Sequence, residues 1–129
     1  MKVLLYNPVS NAQRKRVMPF SVLAIGAALE SRFEYAILDG NAEPDPSKAL
    51  SEAVRGGVDV LGMTVMPGPQ LEDAYARALA LRAGFPHLTI VWGGYFPTEH
   101  PEACVSSPTV DFVVRGHGEG AIVDLLERL

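Results

Sequence analysis

Five short apolar runs punctuate the chain, and a cluster of turn-forming residues follows each one. Val3-Leu4-Leu5-Tyr6 ends at Asn7-Pro8, and Tyr35-Ala36-Ile37-Leu38 ends at Asp39-Gly40. Val58 to Val65 gives way to Met66-Pro67-Gly68-Pro69, Leu88 to Trp92 runs into Gly93-Gly94, and Asp111 to Val114 into Arg115-Gly116. Runs of roughly four to eight apolar residues bounded by glycine and proline predict strands covered on both faces.

Between these runs the hydrophobic period becomes helical. Val22, Ile25, Gly26, Leu29 and Phe33 put one apolar face on a helix over residues 19–32, with Pro19 in the first turn, where a missing N–H costs nothing. After Pro44-Asp45-Pro46-Ser47, the residues Ala49, Leu50, Ala53 and Val54 stripe a second helix that Gly56-Gly57 stops. Leu71, Tyr75, Ala78 and Leu79 mark a third, ending near Gly84 with Pro86 beyond it. Glu99 to Val105 predicts a short helix, and Ile122, Leu125, Leu126 and Leu129 line the inner face of a last one.

Strands that alternate with helices form an α/β fold with a parallel sheet and helices on both faces. Right-handed crossovers favour a doubly wound, flavodoxin-like (Rossmann-like) five-stranded sheet of order 2-1-3-4-5 over a closed barrel. One domain covers residues 1–129 without repeat or linker, and it stops on a helix, where a domain boundary would fall if more protein followed. The length supports a self-sufficient core.

Composition narrows the function classes. A formal net charge of −4, with no basic cluster beyond Arg14-Lys15-Arg16 in the polar stretch from Ser10 to Arg16, argues against nucleic acid as a partner. No apolar run approaches the roughly 18–20 residues of a membrane span, and Met1-Lys2 leads straight into a strand, so a cytoplasmic location is expected. The single Cys104 excludes a disulfide framework or a Cys-rich metal site within these residues and is most simply a packing residue.

In a doubly wound sheet, ligands bind beyond the carboxyl ends of the strands, near the point where strand order reverses. Those ends carry Asn7-Pro8, Thr64-Val65-Met66, Gly93-Gly94-Tyr95 and Gly116-His117-Gly118-Glu119. Glycine there either turns the chain or lets a ligand touch backbone. The chain has no G-x-x-x-x-G-K-[ST], and Gly116-x-Gly118-x-Gly120 lacks the spacing and position of a dinucleotide fingerprint. A phosphate-accepting receiver would need acids where Asn7 and Val65-Met66 stand, and the Ser/Thr-rich loop of a flavin mononucleotide site is missing. The spacing of His87, His100 and His117 proposes no metal site, although His117 lies at the ligand-facing rim. Trp92 and Tyr95 read as core and rim, or as flat surfaces for an aromatic ligand. Glu119 complements a helix dipole, or the backbone amides beside it hold a ligand group. No nucleophile–base pair or paired-carboxylate signature appears, which leaves a complete enzyme in 129 residues as the weakest alternative.

At these loops the chain resembles the N-terminal cobalamin-binding domain of cobalamin-dependent radical S-adenosylmethionine enzymes, a group that includes anaerobic magnesium-protoporphyrin ester cyclases and methyltransferases. The resemblance spans Val3 to Pro8, Pro19, Ile37 to Gly40 and Val60 to Thr64. Its specific part is the ordered pair of blocks Val91-Trp92-Gly93-Gly94-Tyr95-Phe96-Pro97-Thr98 and Asp111 to Glu119. It implies a corrinoid across the carboxyl edge, with its nucleotide tail tucked between sheet and helices. Thr64 would hydrogen-bond the tail, Met66 would pack near the corrin, and Gly93, Gly94, Gly116 and Gly118 would let the tail pass backbone. Glu119 would anchor a ribose or amide group.

The resemblance has two departures. The family usually carries an acid where His117 stands. The Asp-x-His-x-x-Gly that supplies a lower cobalt ligand in methionine-synthase-like domains is absent, which implies base-off cobalamin without a protein histidine on cobalt. The same likeness implies a downstream or separate radical S-adenosylmethionine domain, with a [4Fe-4S] cluster on C-x-x-x-C-x-x-C and S-adenosylmethionine, serving methyl transfer or radical oxidation and cyclisation. The competing reading is a flavodoxin-like small-molecule-binding or interaction module without cobalamin.

Overall fold

The computed structural model describes residues 1–10 and 17–129, so the Arg14-Lys15-Arg16 cluster lies outside the described residues. The elements run β1 (Lys2–Asn7), α1 (Phe20–Leu29), β2 (Glu34–Asp39), α2 (Pro46–Arg55), β3 (Val60–Thr64) and α3 (Pro69–Gly84). They continue with β4 (Thr89–Gly93), α4 (Tyr95–Glu99), α5 (Pro101–Val105), β5 (Phe112–Val114) and α6 (Gly118–Leu126). All strand pairs are parallel and the order is β2-β1-β3-β4-β5, as the alternation predicts.

Alternate strand residues divide the core into two layers, as the strand period of two requires. Leu4, Tyr6, Leu61, Met63, Val65, Ile90 and Trp92 pack with residues of α2, α3 and α5. Val3, Leu5, Val60, Val91 and Val114 face α1 and α6 through Val22, Leu29, Ile122, Val123 and Leu126.

The structure differs from the sequence expectations at several helix faces. Pro19 caps α1 from outside, and the helix ends at Leu29 instead of running to residue 32. Beyond Leu29 the chain turns through Glu30 and Ser31 (φ 63°), leaving Phe33 half-buried. In α3 the buried face is Gln70, Ala74, Ala78 and Leu81, while Tyr75 and Leu79 point to solvent. Ala74 and Ala78 pack in the core layer that holds Tyr6, Met63 and Trp92.

The expected helix over Glu99 to Val105 is two helices, α4 and α5, broken at His100. Pro101 drives the residue before it out of the helical region, and His100 adopts φ −129° and ψ 55°. Tyr95-Phe96-Pro97 is therefore helical, with Pro97 in a first turn that needs no donor. Leu129 lies beyond α6 and is exposed.

Tyr6, fully buried at the end of β1, donates its hydroxyl to Asp73 Oδ2 at 2.7 Å. The same oxygen accepts the Val9 amide at 3.0 Å, and Arg77 Nε lies 3.3 Å from Asp73 Oδ1. This cluster fastens the segment after β1 to α3. Burial first, and the bond to Asp73 second, push the Tyr6 phenol far above its ordinary 10.0. The folded protein keeps the phenol protonated, whereas the unfolded chain releases that proton above about pH 10, so its contribution to stability falls as pH rises past that value. Tyr6→Phe should flatten this alkaline loss and cost about 1.5–3 kcal/mol near neutrality, the range for a bond to a charged group. Urea denaturation of both proteins between pH 7 and 11 measures the difference, and parallel curves would contradict the assignment.

Candidate functional site

The site is built where the sheet lacks side chains. Leu5, Gly62 and Val91 stand side by side across β1, β3 and β4, and one step toward the carboxyl edge Thr64 pairs with Gly93. On the face covered by α1 and α6, the two central strands therefore present glycine, threonine and glycine where a buried sheet ordinarily presents branched side chains.

A slot of about 220 Å³ results. Leu5, Gly62 and Val91 lie along the sheet side, Val22 and Ile25 of α1 and Ile122 of α6 form walls, and Val114 of β5 lies beside them. Leu5, Val22, Val91, Val114 and Ile122 are all buried. Thr64, Gly93, Gly94, Gly116, His117, Gly118 and Glu119 also line it. Of these, Gly116, His117 and Glu119 are exposed, which puts them at the mouth.

Each loop has its own support. Gly116 has φ 66° and donates its amide to Thr98 Oγ1 at 2.9 Å, while Arg115 Nε donates to the Thr98 carbonyl at 3.3 Å. Thr98 thus holds the turn after β5 against α4. Gly118 starts α6 with its Cα beside Ile25, and a Cβ there would lie 2.8 Å from Ile25 Cδ1.

The two glycines after β4 have different tasks. Gly94 has φ +104°, and a Cβ on it would meet the Val65 nitrogen at 3.0 Å and the Val65 oxygen at 3.1 Å. Gly93 has no such restriction: its nearest neighbours would be Val114 atoms at 3.7 and 3.8 Å, ordinary contact distances. Gly94 is required by the fold, whereas Gly93 keeps the slot clear.

Other expected site residues lie apart from the slot. Asn7 Nδ2 donates to Asp39 Oδ1 at 2.9 Å, and Asn7 Oδ1 accepts from Gln70 Nε2 at 3.0 Å. The Pro8 carbonyl accepts from Gln70 at 3.3 Å and from Asn41 at 3.4 Å. Gln70 Oε1 in turn accepts the Met66 amide at 2.9 Å. This amide cluster ties the ends of β1, β2 and β3 together. Val65 is fully buried in the α3-side core, while Met66 and Tyr95 are exposed, 49% and 59%, on the segments that follow β3 and β4.

Trp92 lies in the core layer facing away from the slot, so it offers no surface to a guest there. Cys104 is buried beside it in the same layer, and burial pushes its thiol up, which makes it a packing residue. His87 and His100 are exposed, and the His100 ring packs against Phe96 at 5.0 Å. Among the described residues, no three His, Cys, Asp or Glu groups converge to hold a metal ion.

The wall residues of α1 and α6 were not recognisable as site residues in the sequence, because Val22, Ile25 and Ile122 have the spacing of ordinary core positions. Gly62 was the available signal, since an isolated glycine inside a central strand marks close approach of another group.

The slot is smaller than the roughly 300–1,000 Å³ that encloses a drug-sized ligand. A doubly wound sheet with such a slot at its carboxyl edge defines a small-molecule-binding domain of flavodoxin-like fold. The B12 binding domain family matches residues 12–126, and the chain belongs to that family.

Among known proteins, the anaerobic magnesium-protoporphyrin IX monomethyl ester cyclase of Synechocystis sp. is 29% identical over the whole of this chain. An uncharacterized methyltransferase of Pyrococcus horikoshii is 27% identical, again over the whole chain. The chain spans only 28% and 29% of these relatives' lengths. A structure of the radical S-adenosylmethionine methyltransferase TsrM from Kitasatospora setae, with cobalamin and a [4Fe-4S] cluster bound, superposes with a TM-score of 0.82. It is 24% identical and covers 98% of this chain and 26% of its own, a likeness of fold.

Gly94→Ala should cost about 1–3 kcal/mol through backbone strain. Gly93→Ala should leave stability within about 1 kcal/mol of the parent. Chemical denaturation of the two variants checks the contrast, and equal losses would contradict the division of labour.

Proposed function

We propose that this domain binds cobalamin in the base-off form, with the nucleotide tail in the slot and no protein histidine on cobalt. The open slot between the sheet and the α1–α6 layer is the observation that carries the proposal, because an ordinary core would fill it with side chains. Gly62 and Gly93 leave room for the arm beside the sheet, and Thr64 offers a hydroxyl at the mouth. His117 and Glu119 flank the entrance at the start of α6, where they orient polar parts of the guest. Met66 and Tyr95 give the rim apolar surface against which a macrocycle packs.

When bound, the corrinoid supplies methyl transfer or supports radical oxidation and ring closure, and the domain binds and orients it. We further propose that the domain serves a radical S-adenosylmethionine enzyme. The cyclase and methyltransferase relatives support this, and their greater length leaves room for the remaining machinery. Cys104 is the single cysteine of the chain and is buried, so the ligands of a [4Fe-4S] cluster would come from other sequence.

Purified domain mixed with hydroxocobalamin and freed of excess should retain corrinoid with a base-off absorption spectrum. The expected dissociation constant is micromolar or tighter, about −8 kcal/mol. Gly93→Leu should abolish retention while melting near the parent temperature, since its branches grow into the slot. If no corrinoid is retained, the domain is a binding or interaction module for something else. Undiminished affinity in Gly93→Leu would remove the tail from the slot.

A further inference from the structure

We propose that the slot selects among corrinoids by the base at the end of the tail, accepting an apolar base such as dimethylbenzimidazole and rejecting a purine. This inference rests on the corrinoid reading above and extends it to the class of cofactor taken.

The argument is a census of hydrogen-bonding groups along the inner slot. Among its buried lining residues Met63 packs in the opposite core layer, and the side chains of the slot's own layer are Leu5, Val22, Val91, Val114 and Ile122, none of which can donate or accept. Along the sheet its backbone is equally spent, which leaves the amides that open α6, at Gly118 and Glu119, as the backbone donors lining it. Leu5 pairs with Ile37 and Gly62, Gly62 with Leu5 and Val91, and Val91 with Gly62 and Phe112, so these residues lie in strands with a parallel neighbour on each side. The polar side chains that line the slot are Ser21, Thr64, His117 and Glu119, and none of them is buried. Polar partners therefore serve the mouth, where ribose and phosphate would pass, and not the inner end, where the base would sit.

A purine base presents ring nitrogens and an exocyclic amine around its edge. Seated against Gly62 and Val91, those groups would leave water and find no partner, which is costly for each buried group left unpaired. A dimethylbenzimidazole released from cobalt carries one free ring nitrogen and no exocyclic amine, so it strands fewer polar groups there, and its methyl groups gain from apolar contact. Discrimination of this kind grows out of the unpaired group, not out of size, since both bases are bicyclic. Among the lining residues no lysine or arginine is present to compensate.

The test measures binding of three corrinoids to the purified domain: hydroxocobalamin, the corresponding corrinoid carrying adenine as its lower base, and cobinamide, which lacks the nucleotide altogether. The expected result is at least tenfold tighter binding of hydroxocobalamin than of the adenine form, about 1.4 kcal/mol. A smaller ratio, or one favouring adenine, overturns the proposal. Cobinamide bound as tightly as hydroxocobalamin also overturns it, because the tail would then lie outside the slot, while the corrinoid reading would stand. If none of the three is retained, the corrinoid reading itself fails and the selectivity falls with it. Val91→Thr places a hydroxyl against the base at nearly constant volume and should narrow the ratio. An unchanged ratio in a variant that still binds hydroxocobalamin would overturn the placement of the base beside Val91.

Discussion

A parallel sheet covered by helices on both faces has no room for a guest unless side chains are left off one of those faces. In this domain they are left off at Gly62 and Gly93, on adjacent central strands and on the α1–α6 side. Glycine in a strand interior weakens it by up to about 1 kcal/mol and contributes nothing to packing. A Cβ at Gly62 would lie 3.1 Å from Leu5 Cδ2, so the buried Leu5 would have to give way, whereas at Gly93 it would meet only ordinary contacts and intramolecular sterics do not demand glycine there. Two local departures from good strand composition that together open one slot are what a binding site leaves behind.

The opposite face supplies the rigidity that the slot side lacks. Ala74 and Ala78 of α3 pack in the layer of Tyr6, Met63 and Trp92, and Asp73 and Gln70 reach from that helix to the segments after β1 and β3. Each bond satisfies a donor that would otherwise be stranded near the core, where the loss is larger than the gain from an exposed bond. The strand ends are therefore positioned from behind, through α3, while the loops on the slot side stay open. Thr98 does the same for the turn after β5.

Much of this was legible in the sequence, for reasons particular residues make plain. Apolar runs ending at Asn7-Pro8, Asp39-Gly40 and Gly93-Gly94 carry their own boundaries, so strand number and order followed from period, breakers and handedness. The loops around Gly93 and Gly116 stood out because glycine clusters there exceed what a turn needs. The inward face of α3 did not stand out. Leu71, Tyr75 and Leu79 and the alternative row Gln70, Ala74 and Ala78 share one helical spacing, and only tertiary packing decides for the smaller residues. Asn7 and Pro8 stood at a ligand-facing strand end, yet their bonding partner Gln70 lies in a distant segment whose approach no local pattern reveals.

The exposed apolar side chains extend the argument beyond the slot. Phe20 opens α1 after β1, Met66 follows β3 and Tyr95 follows β4, and their exposures are 73%, 49% and 59%. All three belong to connections that leave the carboxyl ends of strands, the edge onto which the slot opens. A single exposed apolar residue is unremarkable, but several on one edge beside a narrow apolar slot describe a surface with two depths. On the proposed corrinoid reading, the shallow part would take the wide, flat macrocycle and the deep part its arm. Contact across the shallow rim is non-directional and distinguishes poorly between related guests. Discrimination must then come from the deep part, where a missing partner is felt in full. On that reading, affinity and selectivity would fall on different residues of the same domain.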